Sequence, residues 1–179
     1  MGITILFLLS SCRKNEKAKT AELCRELENS VMLSPAFDSL VKMSMGLPNF
    51  FRSKVLLVAG RCYSTKVEQM QQARIYLREA YRIAPRDVKN LVALELTRLY
   101  GSLILRDSCV EEAIRFISRV PSKVVFTREE EAKFYYLGAC FFKSIDIDRA
   151  FRAVDQALSL YRGLSDTEGE IEAYRLKAT

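Results

Sequence analysis

The sequence predicts an all-α fold of antiparallel helical hairpins, and three observations carry that expectation. Leu, Ala, Arg, Glu and Lys fill the long middle stretches, and these residues lose little side-chain freedom in a helix. Only 7 Gly and 4 Pro occur, too few for the many tight turns of an all-β domain. Small and apolar residues recur three and four positions apart, the spacing that gathers them on one helical face. The 179 residues, 49% hydrophobic and 28% charged, suffice for one domain or for a short solenoid whose layers share a continuous core.

The chain opens on an apolar run, Ile3 to Leu9, followed by Ser10, Ser11 and Cys12 and then by Arg13, Lys14, Lys17 and Lys19. The run is too short to span a bilayer, which takes about 20 residues, but suits the apolar core of a secretory signal. Leu9-Ser10-Ser11-Cys12 resembles the lipobox of bacterial lipoproteins. That resemblance implies a signal segment over 1–12, lipid on Cys12, and a chain anchored in the bacterial cell envelope facing the periplasm. No Lys or Arg precedes the run, a departure from the usual signal. The alternative is a cytoplasmic protein with an apolar N-terminus and Cys12 as an ordinary thiol. Basic residues beside a lipid would add attraction to anionic headgroups.

Residues 13–49 read as a linker and N-terminal capping helices. One helix is expected over Lys17–Leu33. A second is expected over Pro35–Met45, with Ser34 as N-cap and Pro35 at the first helical position, ended by Gly46-Leu47-Pro48.

Residues 50–179 carry the repeats. Phe134, Leu137, Gly138 and Phe141 share one stripe, and Ala150, Val154 and Ala157 share a second. The break falls at Ile145-Asp146-Ile147-Asp148, so two antiparallel amphipathic helices are expected. The same spacing recurs in Tyr100-Gly101, Ile104, Ala113 and Ile117, and again in Leu56, Ala59-Gly60, Tyr63, Ala73, Leu77, Ala80 and Pro85. This pattern resembles the tetratricopeptide motif, W-x-x-L-G-x-x-Y then A-x-x-x-F-x-x-A then P. The resemblance implies copies at about 53–86, 94–127 and 131–164, then a partial helix, stacked as a right-handed α-solenoid. Val154 replaces the motif's aromatic and Arg162 its closing Pro. Gly60 precedes Ala73 by 13 residues rather than 12, so the turn at Ser64 to Glu68 should bulge. Gly138 and Ala150 should be small because paired helices cross there at close range. From Asp166 on, a last helix is expected with Ile171, Tyr174 and Leu176 on one face.

The resemblance further implies a concave surface lined by first helices that binds a protein or peptide. Carried over residue by residue, its positions are Lys54, Leu57 and Arg61, then Arg98, Leu105 and Arg106, then Tyr135, Phe142 and Lys143. Cations beside aromatics suit an acidic or carboxylate-ended ligand. The same positions read equally well as solvated helix residues, with Phe142 packed on a loop. The paired Asn residues of the family's carboxylate-clamp variant are absent, so chaperone-tail binding is not expected.

Other classes fit less well. With no His in the chain, the commonest general base and metal ligand is missing. No Gly-rich phosphate loop, G-x-S-x-G or metal spacing occurs. No catalytic residue, metal or cofactor is expected. Glu129, Glu130 and Glu131 read as the solvated opening turn of a helix. The net charge of +6 is spread through the chain rather than striped, so nucleic acid is not an expected partner. Cys24, Cys62, Cys109 and Cys140 form no C-x-x-C pair and read as small buried hydrophobes. The runner-up function is the N-terminal sensor part of a longer bacterial signalling or transcription regulator, motivated by a sequence that stops inside a fresh repeat.

Overall fold

A computed structural model describes residues 2–29, 35–103 and 109–178; for residues 2–13, 35 and 36 it describes the backbone only. The described residues form nine α-helices linked by turns and short 3-10 segments. They divide into two compact units, Met1–Val88 and Lys89–Thr179. The division falls between the first and second expected repeat copies.

In the first unit α1 spans Gly2–Asn29, so the apolar run and the expected helix at 17–33, as far as Asn29, form one continuous element; residues 30–33 lie outside the described residues. Among its described side chains Thr20, Leu23 and Leu27 are buried, spaced three and four apart, and they put one stripe of α1 against α3. Helix α2 (Pro35–Met43) opens on Pro35 as expected; Ser34 lies outside the described residues. A 3-10 turn over Ser44–Gly46 follows, and Leu47 is extended. Pro48 then stands at the N-cap of α3 (Asn49–Ser64). Phe37 of α2 meets Tyr63 of α3 edge-on, ring centroids 4.9 Å apart, a favourable quadrupole geometry.

Helix α4 (Met70–Ile83) pairs with α3. The extra residue in the intervening turn is taken up by a 3-10 segment, Val67–Gln69, where the sequence placed a bulge. Ala73, Leu77 and Ala80 are fully buried at successive turns. Gly60 is where this hairpin closes: a Cβ built on it would stand 2.5 Å from Leu77 Cγ.

In the second unit α5 (Arg86–Leu103, its first turn still in the first unit) and α6 (Val110–Arg119) are held together by Tyr100. Its ring lies 5.5 Å from that of Phe116, and its hydroxyl donates to Glu112 at 2.5 Å. Helix α7 (Arg128–Phe142) opens on a reciprocal cap. Thr127 accepts from the Glu130 amide, and Glu130 accepts from the Thr127 amide, satisfying two otherwise orphaned donors. Glu130 also accepts from Asn90 Nδ2 of α5 at 2.6 Å, so that carboxylate ties two helices together as well as facing solvent.

Helix α8 (Ile147–Leu164) starts where the sequence placed the break, with Asp146 accepting from the Arg149 amide at 3.0 Å. It packs along α7. Gly138, expected to be a crossing point, has room: an added Cβ would meet only Ile117 Cγ2, at 3.9 Å, an ordinary contact. Ser165 ends α8 in the left-handed region at φ 57°. Helix α9 (Thr167–Ala178) then turns its small side to α8, burying Gly169 and Ala173. Ile171 and Tyr174, expected to share one face, are 47% and 46% exposed. The reason is steric: Gly169 lets the Tyr161 ring approach to within 2.5 Å of where its Cβ would be.

Candidate functional site

Helix α3 carries the first three expected groove positions. Lys54 is exposed, its Nζ 4.2 Å from the centroid of the Phe50 ring, within cation–π range. Arg61 is also exposed. Leu57, between them in sequence, is only 5% exposed and belongs to the core; it offers a ligand almost no surface. α1 packs on α3, and the Cys62 thiol donates to the Leu27 carbonyl at 3.9 Å. Burial raises the Cys24 and Cys62 thiol pKa values, and the negative charge of Glu28 adds to the effect. Both stay protonated and unreactive near neutrality.

In the second unit Arg98 lies on the exposed side of α5 and pairs with Glu95 at 3.0 Å. Leu105 and Arg106 lie outside the described residues. Tyr135 is half-buried beside Phe134, centroids 5.7 Å apart, and burial followed by the charge of Glu131 raises its phenol pKa. Phe142 is 7% exposed, packed edge-on against Phe141 with the Arg149 guanidinium 5.6 Å from its ring. As with Leu57, its side chain is core. Lys143, the C-cap of α7, is exposed. It rims a small apolar recess with Ile147, Phe151, Leu176 and Lys177. What remains accessible of the expected groove is therefore cationic at Lys54, Arg61, Arg98 and Lys143, and aromatic at Tyr135.

Cys12 sits on the backbone of α1, and its side chain lies outside the described residues. Among the described residues, no helix is long and apolar enough to cross a membrane, and no three His, Cys, Asp or Glu side chains converge to hold a metal ion. Cys24, Cys62, Cys109 and Cys140 are thiols, none in a disulfide.

One site escaped the sequence. An open cavity of about 430 Å³ lies in the first unit, between α2, the 3-10 turns and the α3/α4 hairpin. Asp38 Oδ1 accepts from the Tyr63 hydroxyl at 3.3 Å and from the Tyr76 hydroxyl at 3.5 Å. Burial, reinforced by the charge of Asp38, pushes the Tyr63 phenol pKa up to about 12, and burial raises that of Tyr76 as well, so both phenols remain donors. Gln69, in the turn, lines the same cavity. It is 6% exposed, and its Oε1 has no hydrogen-bond partner among the described residues. No spacing rule gathers Asp38, Tyr63, Gln69 and Tyr76, which come from four separate segments. Tyr63 alone stood out in the sequence, and there as a packing residue.

No family model matches this chain, and neither does any curated protein or solved structure.

Proposed function

We propose that the chain is a non-catalytic scaffold for protein–protein interaction. On this reading its hairpins are tetratricopeptide-like repeats stacked as a right-handed solenoid, and lipid on Cys12 holds it at a bacterial membrane facing the periplasm. The observation that carries the reading is the match between motif spacing and helix pairing. The stripe Leu56, Ala59, Gly60, Tyr63 falls within α3 and Ala73, Leu77, Ala80 within α4, while Phe134 to Phe141 and Ala150 to Ala157 fall within α7 and α8. Both pairs are joined by a short turn and packed together, the unit from which such arrays are built. The absence of His from the sequence supports a binding role over acid–base catalysis. The exposed cations Lys54, Arg61, Arg98 and Lys143 favour an acidic protein or peptide as partner.

The anchor and the groove are tested separately. Radioactive palmitate should label the wild-type chain, and Cys12→Ala should move it to the soluble fraction; unchanged membrane association in that variant would remove the anchor. Arg98→Glu combined with Arg106→Glu should abolish capture of protein partners from native membranes while circular dichroism stays unchanged. Retained capture would mean that partners dock elsewhere.

A further inference from the structure

Half of the chain's positive surplus is gathered in one short stretch of α1. Arg13, Lys14, Lys17 and Lys19 are accompanied by a single carboxylate, Glu16, a surplus of +3 within a net charge of +6. The rest of the helix reverses sign: from Thr20 to Asn29 one arginine stands among three glutamates. Lys14, Lys17 and Lys19 are exposed, and among the described residues none of them holds an ion pair. Arg52, Arg82, Arg98, Arg149, Arg162 and Lys177, by contrast, each hold a carboxylate at 2.5–3.3 Å. The charge of the three lysines is thus not neutralised within the chain.

Geometry narrows the kind of anion that meets them. At about 100° per residue the three lysines leave α1 on three different sides, whereas a polyanion lying along the helix calls for a stripe. They span five residues, about 8 Å of helix rise, which is about one Debye length at physiological ionic strength. A ring of charge at one level suits a charged plane met by the end of the helix. The segment just before the ring is apolar, Ile3 to Leu9, and belongs to the same continuous helix. Whether that run persists or lipid on Cys12 takes its place, hydrocarbon adjoins the ring. Cations directly beside a hydrocarbon anchor are placed to meet phospholipid headgroups.

We propose that Arg13, Lys14, Lys17 and Lys19 form a collar that binds the anionic headgroups of phospholipids. This role rests on an N-terminus held at a membrane, as in the function proposed for the chain. Lipid on Cys12 holds the chain to a membrane of any composition, and the collar adds a preference for one rich in anionic lipid. The exposed Glu22, Glu26 and Glu28 further along α1 are repelled by the same surface, so the helix meets it by its N-terminal end. By itself the collar binds weakly and reversibly, and Cys12→Ala is still released on fractionation.

Full-length Cys12→Ala, which carries no lipid, isolates the collar. It should co-sediment more tightly with vesicles of equal parts phosphatidylglycerol and phosphatidylcholine than with phosphatidylcholine alone, and the preference should fade as sodium chloride is raised. Adding Lys14→Gln, Lys17→Gln and Lys19→Gln should lower affinity for the anionic vesicles about a hundredfold, roughly fivefold per lysine, with the melting temperature unchanged. Lys66→Gln, Lys123→Gln and Lys133→Gln, at exposed positions elsewhere, remove the same net charge and should keep the preference. Palmitate labelling of the wild-type chain reads the anchor and vesicle preference reads the collar, so either can fail without the other. The collar is overturned by equal binding to both vesicles, by a preference that survives loss of the three lysines, or by an equal loss in the control variant. If losing the three lysines weakens retention of duplex DNA but not of vesicles, they serve a nucleic acid and the proposal fails.

Discussion

The α3/α4 and α7/α8 hairpins come from nearly the same residue spacing, yet they are secured at opposite places. The first is locked in its middle, where Gly60 admits Leu77 so closely that no Cβ would fit. Neither α3 nor α4 has a side-chain N-cap. The second is loose at the equivalent glycine and secured at its ends, by the Thr127–Glu130 cap before α7 and Asp146 before α8. A shared motif therefore fixes which helices pair, while local chemistry decides where the pair resists opening.

The largest effect should come from Leu77, which is fully buried. Leu77→Ala should cost about 2–5 kcal/mol in urea denaturation. Gly60→Ala comes next: overpacking costs about 1–3 kcal/mol, against about 1 kcal/mol gained in helix propensity. In the double variant the two losses should fall short of their sum, since truncating Leu77 makes room for the new methyl. Full additivity would mean that the two side chains do not share a lock.

Thr127→Ala should cost about 1 kcal/mol, with hydrogen exchange accelerating in α7 and unchanged in α3. Gly138→Ala has the opposite sign to Gly60→Ala, because its surroundings are open; a gain of about 0.5–1 kcal/mol is expected. If both glycine variants destabilised alike, the contrast between the hairpins would collapse. The smallest change is Ser165→Gly, which relieves a left-handed residue and should raise stability by about 0.5 kcal/mol.

Much of the helical framework was legible because it rests on local rules. The breaks at Asp146 and Pro48, the opening of α2 on Pro35 and the distorted turn after Ser64 follow from residues within a turn of one another. Leu57 and Phe142 were misjudged for the opposite reason. Their faces look outward only when α3 and α7 are considered alone, and burial is decided by elements distant in sequence. Position rules carried from a motif cannot know that α1 packs on α3, or that Arg149 of α8 reaches the Phe142 ring. On the terminal helix Ile171 and Tyr174 outrank Gly169 and Ala173 in hydrophobicity, yet it is the small pair that fits the space beside Tyr161. The cavity beside Asp38 left no trace at all, because a buried Gln within a turn runs against every compositional expectation.

Helix α1 has a mechanical consequence. Among its described side chains the first buried one is Thr20, and between Lys14 and Lys19 every residue but the half-covered Glu16 is exposed. Cys12 and Thr20 are thus joined by eight helical residues, about 12 Å at 1.5 Å per residue, with no glycine or proline to flex. A lipid at Cys12 would hold the first unit on a short stiff post rather than a leash. It would fix the height at which that unit meets its ligands and limit how far it can swing.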